Sequence, residues 1–109
     1  MSVAALSFIV DPANAIFVSP ATYWEIAIKL SSGKYIFAVS FAEFVQRAIH
    51  DNGFTILPIE PYHCEPLVSL PPHHKDPFDR LLIAQAMAEN IPIITVDPVF
   101  DNYPVTRLW

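Results

Sequence analysis

His73 to Glu89 reads HHKDPFDRLLIAQAMAE, and the way this stretch begins decides the fold. Asp76 suits a helix N-cap, Pro77 takes the first helical position, where a missing N–H does no harm, and Asp79 falls at the third position, the reciprocal capping slot. Phe78 to Ala88 continue as helix formers. At about 100° per residue, Asp79 projects between Leu82, Ile83, Ala86 and Met87, while Gln85 and Glu89 fall on the opposite side and Arg80 at the margin. Asp76 and Asp79 therefore place two carboxylates at one helix N-terminus, on the side that packs inward. A carboxylate so placed needs a partner, a proton or a metal. Capping accounts fully for Asp76. For Asp79, capping and metal binding stand level, because one N-cap suffices and a capping-box residue need not face the apolar side.

On either side of this stretch, short apolar runs alternate with capped helices. Ser2 caps a helix over Val3 to Val10, which Asp11-Pro12 ends; Ala15 to Val18 is a buried strand. Ser19-Pro20 repeats the cap-plus-proline signature and opens a helix, ATYWEIAIKL, that runs to Ser31-Ser32-Gly33. After an irregular connector, Lys34 to Val39, Ser40 and Glu43 form a capping box for a helix from Phe41 to Asp51, closed by Asn52-Gly53. Phe54 to Ile59 is the second strand. Pro61 starts a short helix that Pro66 kinks or restarts, and Pro71-Pro72 ends it. Ile93 to Val96 is the third strand, Asp97-Pro98 begins a tight turn or one-turn helix through Phe100, and Val105 to Leu108 supplies a last strand at an edge. This order predicts an α/β fold, a three-layer α/β/α sandwich with a mostly parallel sheet, as a single domain over residues 1–109. Trp24, Phe41, Phe44 and Phe54 are expected in its core.

The 109 residues are 53% hydrophobic with a mean hydropathy of +0.38, ample to fill one core. No apolar run approaches the roughly 20 residues that span a bilayer, and the N-terminus lacks the pattern of a signal peptide, so a cytoplasmic protein with no membrane partner is expected. Cys64 is the one cysteine and has no internal disulfide partner. A net charge of −5 and a pI near 5.1 exclude a broad basic face for duplex DNA. They do not exclude a nuclease, whose carboxylates recruit divalent metal that then meets phosphate.

In open parallel sheets the ligand crevice lies beyond the carboxyl ends of the strands. Glu25, in the helix after the first strand, Asp76 and Asp79, opening the central helix, and Asp97, at the end of the ITV strand, all fall at such junctions. Carboxylates gathered from separate segments suit Mg²⁺ or Mn²⁺. Singly, Glu25 also pairs well with Lys29, and Asp97 before proline also starts a turn; the set favours a metal site. His73 and His74 lack the further ligands of a zinc site and are read as a solvated loop. Lys75 and Arg80 serve equally as phosphate contacts or as charge balance.

The runs VSPATYWEIAIKLSSGK, LPPHHKDPFDRLLIAQA and IITVDPVFDNYPV resemble the PIN-domain family, in particular the VapC-like toxins of bacterial toxin–antitoxin pairs. That resemblance implies a metal-dependent endoribonuclease held in check by a cognate antitoxin. It implies that Glu25, Asp79 and Asp97 match the family's catalytic acids, with Asp76 an accessory acid of the metal site. A further family acid, carried on a strand ahead of the first helix, has no match in this chain, so an N-terminally shortened domain is expected. Two functions follow: a ribonuclease that activates water with Mg²⁺ or Mn²⁺, or an inactive binding module that grips an antitoxin or a second copy of itself. The absent strand predicts a homodimer or larger assembly through the Phe17 or the Ile94 strand.

Overall fold

Local caps set most of the helices. In the computed structural model, which describes residues 2–109, helix α1 spans Val3–Val10, and the Ser2 hydroxyl accepts the Ala5 N–H at 3.0 Å. Helix α2 spans Pro20–Ser31, with Ser19 accepting the Ala21 N–H. Helix α5 spans Pro77–Glu89; Asp76 Oδ1 accepts from Phe78 at 2.8 Å and Asp79 at 3.3 Å, and Asn90 closes the helix in the left-handed region at φ 54°. In each case a side-chain oxygen satisfies an N–H that the first turn leaves without a helical partner.

The contacts gather in two units, Ala15–Pro58 and a second made of residues 2–14 with Ile59–Trp109. The first holds strand β1 (Phe17–Val18), α2, helix α3 (Phe41–Val45) and strand β2 (Thr55–Ile56). Strands β1 and β2 pair in parallel, Phe17 opposite Thr55 and Val18 opposite Ile56. The expected helix over Phe41 to Asp51 is α-helical only to Val45; Gln46–His50 form a π turn, with the Asp51 N–H on the Gln46 carbonyl at 2.8 Å. Ser40 caps α3 through the Glu43 N–H, but the Glu43 carboxylate turns to Arg47 at 2.6 Å rather than back to the cap. Trp24 is 58% exposed and Phe41 37%, against the expectation that both fill the core. Phe44 and Phe54 are half-buried, with the Phe44 ring packed on Phe37. So short a segment has too much surface for its volume, and only Ser19, Ala21 and Ile49 in it are fully enclosed.

The second unit holds α1, helix α4 (Pro61–Cys64), a 3₁₀ turn at Glu65–Val68, α5, strand β3 (Ile93–Ile94), a 3₁₀ turn at Pro98–Asn102 and strand β4 (Arg107–Leu108). Of the two outcomes expected at Pro66, a kink or a restart, the chain restarts there as a 3₁₀ turn. Ile93 lies opposite Arg107 and Ile94 opposite Leu108, again in parallel, and the intervening residues supply the crossover of about a dozen that such pairing needs. Leu70, Ile83, Phe100 and Tyr103 form the buried cluster, with Leu67, Met87, Ile93 and Val105 against it.

The α/β class and the parallel pairing match the sequence reading. The strands are shorter than their apolar runs, two residues each, and pair as two separate two-stranded sheets. A ladder extends only as far as a partner does, and hydrophobicity in sequence carries no information on the partner. Gln85, expected on the far side of α5, is 2% exposed. Ile83, Ala84, Gln85 and Ala86 are buried consecutively, so the helix is covered all round at that turn.

Candidate metal centre

Asp79 begins with its backbone. Asp76 fixes the first turn of α5, and this orients Asp79, at the third position, toward the segment that follows β3. There Asp97 caps the 3₁₀ turn, its Oδ1 accepting the Val99 N–H at 3.0 Å, which leaves Oδ2 for another partner. Between them stands His74. Its Nε2 lies 2.9 Å from Asp79 Oδ2 and 3.2 Å from Asp97 Oδ2, so two carboxylates meet at one imidazole nitrogen. The three side chains are half-buried, His74 the most enclosed at 16%.

His74 is held on several sides. Nδ1 accepts the Asp76 N–H at 3.2 Å, the ring stands edge-on to Phe100, and the backbone N–H donates to the Tyr103 hydroxyl at 2.7 Å. Tyr103, itself 5% exposed, donates that hydroxyl to the Pro71 carbonyl at 2.7 Å. The buried cluster therefore reaches the candidate site through Phe100 and Tyr103. The expectation of a solvated histidine loop is overturned for His74; His73 is exposed and lies edge-on to the Tyr103 ring. Arg80 is also not free for phosphate. Its guanidinium donates to the carbonyls of Leu70, Pro71 and His74, tying the Pro71-Pro72 corner to α5.

Of the four acids expected at the site, Asp79 and Asp97 come together. Asp76 serves as N-cap, with its Oδ1 taken by two backbone N–H groups. Glu25 belongs to the other unit, where it lies 3.6 Å from Lys29 on α2. The Lys29 ammonium is pushed up, first by its hydrogen bond to the Tyr35 hydroxyl and then by the Glu25 charge. His74 was missed because its acceptors lie five and 23 residues away; a histidine two residues before an acidic N-cap was the available signal.

His74, Asp79 and Asp97 each offer one donor atom, all within 4.8 Å of one another, and two of the three are carboxylate oxygens. Oxygen donors gathered at this spacing fit a hard divalent cation. Among the described residues no helix is long and apolar enough to cross a membrane. A family model described as the PIN domain matches residues 2–105. Searches of curated proteins and of solved structures return no match.

Proposed function

The chain belongs to the PIN-domain family, and from that premise we propose that it is a divalent-metal-dependent endoribonuclease of the VapC toxin type. PIN domains are generally nucleases that bind RNA, and residues 2–105 carry the match. The observation that supports the reading most is the meeting of Asp79 and Asp97 from separate elements at one point. Asp79 is not needed there as a cap, since Asp76 already caps α5, and Asp97 spends only Oδ1 on capping its own turn.

In this reading Asp79 and Asp97 hold Mg²⁺ or Mn²⁺, with Asp76 orienting the first turn beneath them. The cation, when bound, supplies Lewis acidity toward water and phosphate, so no side chain acts as nucleophile. The chain's own part is to orient and balance. Val99 N–H fixes one Asp97 oxygen, His74 the other, and Arg80 anchors the corner from which His74 projects. The resemblance adds Glu25 to the catalytic acids, and Glu25→Gln tests it in the same assay. Cleavage of RNA in Mn²⁺ or Mg²⁺ against a chelator, for the parent and Asp79→Asn, is the deciding experiment. The parent should cut only with metal, and the variant should lose the activity while melting at the same temperature or higher. A variant that cuts at the parent rate rules the assignment out.

A second reading, a binding module that engages an antitoxin or another copy of the chain, is favoured by α1. That helix is apolar except for Ser7, yet Val3 is 87% exposed, Val10 65% and Leu6 51%. Light scattering decides self-association, and loss of it in Leu6→Glu would place the contact on α1.

A further inference from the structure

A neutral imidazole has one donor and one acceptor nitrogen, so the bond made at one fixes the role of the other. In His74, Nδ1 accepts the Asp76 N–H at 3.2 Å, which places the proton on Nε2. That single N–H faces Asp79 Oδ2 at 2.9 Å and Asp97 Oδ2 at 3.2 Å. We propose that His74 is a positioning residue: its Nε2–H is shared by Asp79 and Asp97, sets their spacing, and stays in place when a divalent cation is bound. The part about the cation rests on the nuclease reading; the bridge does not.

The other role open to His74 is that of a ligand through Nε2. A ligating nitrogen must be unprotonated, and moving the proton to Nδ1 would set an N–H against the Asp76 N–H. Turning the ring away would relieve that clash, but the ring is fixed by the edge contact to Phe100, and the residue's backbone by the Tyr103 hydroxyl and by Arg80, which donates to the His74 carbonyl at 3.3 Å. The carboxylates lose nothing by the arrangement. Each oxygen has two lone pairs, and Asp97, with Val99 N–H on Oδ1 and His74 on Oδ2, keeps one on each for a cation. Carboxylates that bind metal are commonly hydrogen-bonded in this way by an outer partner.

The test is the side-chain ¹⁵N–¹H spectrum of the histidines at pH about 8, above the ordinary imidazole range. His74→Gln identifies the His74 signals among the four histidines. In chelated protein His74 should carry its proton on Nε2, and Asp97→Asn should move that resonance. Adding Mg²⁺, which is diamagnetic, should leave the proton on Nε2. A proton on Nδ1 in chelated protein, or a resonance indifferent to Asp97→Asn, overturns the bridge; a shift of the proton to Nδ1 on adding Mg²⁺ makes His74 a ligand instead. By calorimetry, His74→Ala should weaken Mn²⁺ binding by about 10- to 100-fold, and His74→Gln, whose amide N–H reaches the same place, should restore part of it. Equal affinity in parent and His74→Ala overturns the positioning role. Should the parent bind no cation at all, the nuclease reading and the proposal's claim about the bound state fail together, while the chelated spectrum still decides the bridge.

Discussion

His63 and His74 each accept a backbone N–H at Nδ1, from Glu60 and from Asp76, and each turn Nε2 to carboxylate on α5. They differ in how many acids share the donors. His63 is fully buried and meets one carboxylate, Glu89, at 2.7 Å, and the same Glu89 oxygen also receives the Tyr62 hydroxyl. Two donors thus serve one acid, and α4 is locked to the C-terminal end of α5. At the N-terminal end one imidazole N–H lies between two acids. The Glu89 cluster gathers donors on one acid, whereas the Asp79 cluster brings two acids to one imidazole, an arrangement that a cation can join. One hydrogen-bonding habit therefore yields a fastening at one end of the helix and a candidate site at the other.

Substitutions at the two ends should separate activity from stability. The largest effect is expected at the N-terminal end, where Asp79→Asn should lower metal-dependent RNA cleavage by roughly 100-fold or more without lowering Tm. Next is His63→Ala, which empties a fully enclosed site and strips a donor from Glu89. It should cost about 2 to 4 kcal/mol, read as a fall of roughly 10 °C or more in Tm, with cleavage by the surviving folded protein near the parent rate. Smaller is the gain from cation: Mn²⁺ at about ten times its dissociation constant should stabilise the parent by roughly 1.4 kcal/mol and Asp79→Asn by none, as seen in thermal shift. An equal shift in both would erase the contrast between the ends.

The smallest effect is acid sensitivity at Glu89. The Tyr62 hydroxyl first and His63 second hold its carboxyl below the ordinary value of 4.5. The folded value lies below the unfolded one, so this contribution is fully present above pH 4.5 and is lost as pH falls through the folded value. Glu89→Gln should therefore melt below the parent at neutral pH, and the gap should narrow in acid. A gap that stays constant with pH would mean that packing, not charge, joins α4 to α5.

Helix starts were legible because a cap is a local bond: Ser2, Ser19, Ser40 and Asp76 each act within three residues. The choice between capping and site for Asp79 was not legible, since it depends on Asp97 and His74, brought close by Tyr103 and Phe100. Strand limits failed for the same reason, as pairing joins residues 38 positions apart, Phe17 with Thr55. Gln85 defeated the helical wheel, which assigns one buried side to a helix that is covered all round at that turn.

The π turn at Gln46–His50 accommodates one residue more than an α-helix would over the same path. The chain therefore has slack in length there and none in α5. Deleting a residue from the π turn lets the backbone fall back to ordinary α pairing. Deleting one between Asp79 and Ile83 would rotate the carboxylate by about 100° against the buried side of its own helix, away from His74 and Asp97. Single-residue deletions across both helices, scored for folding and for RNA cleavage, should be tolerated in the first and lose cleavage in the second.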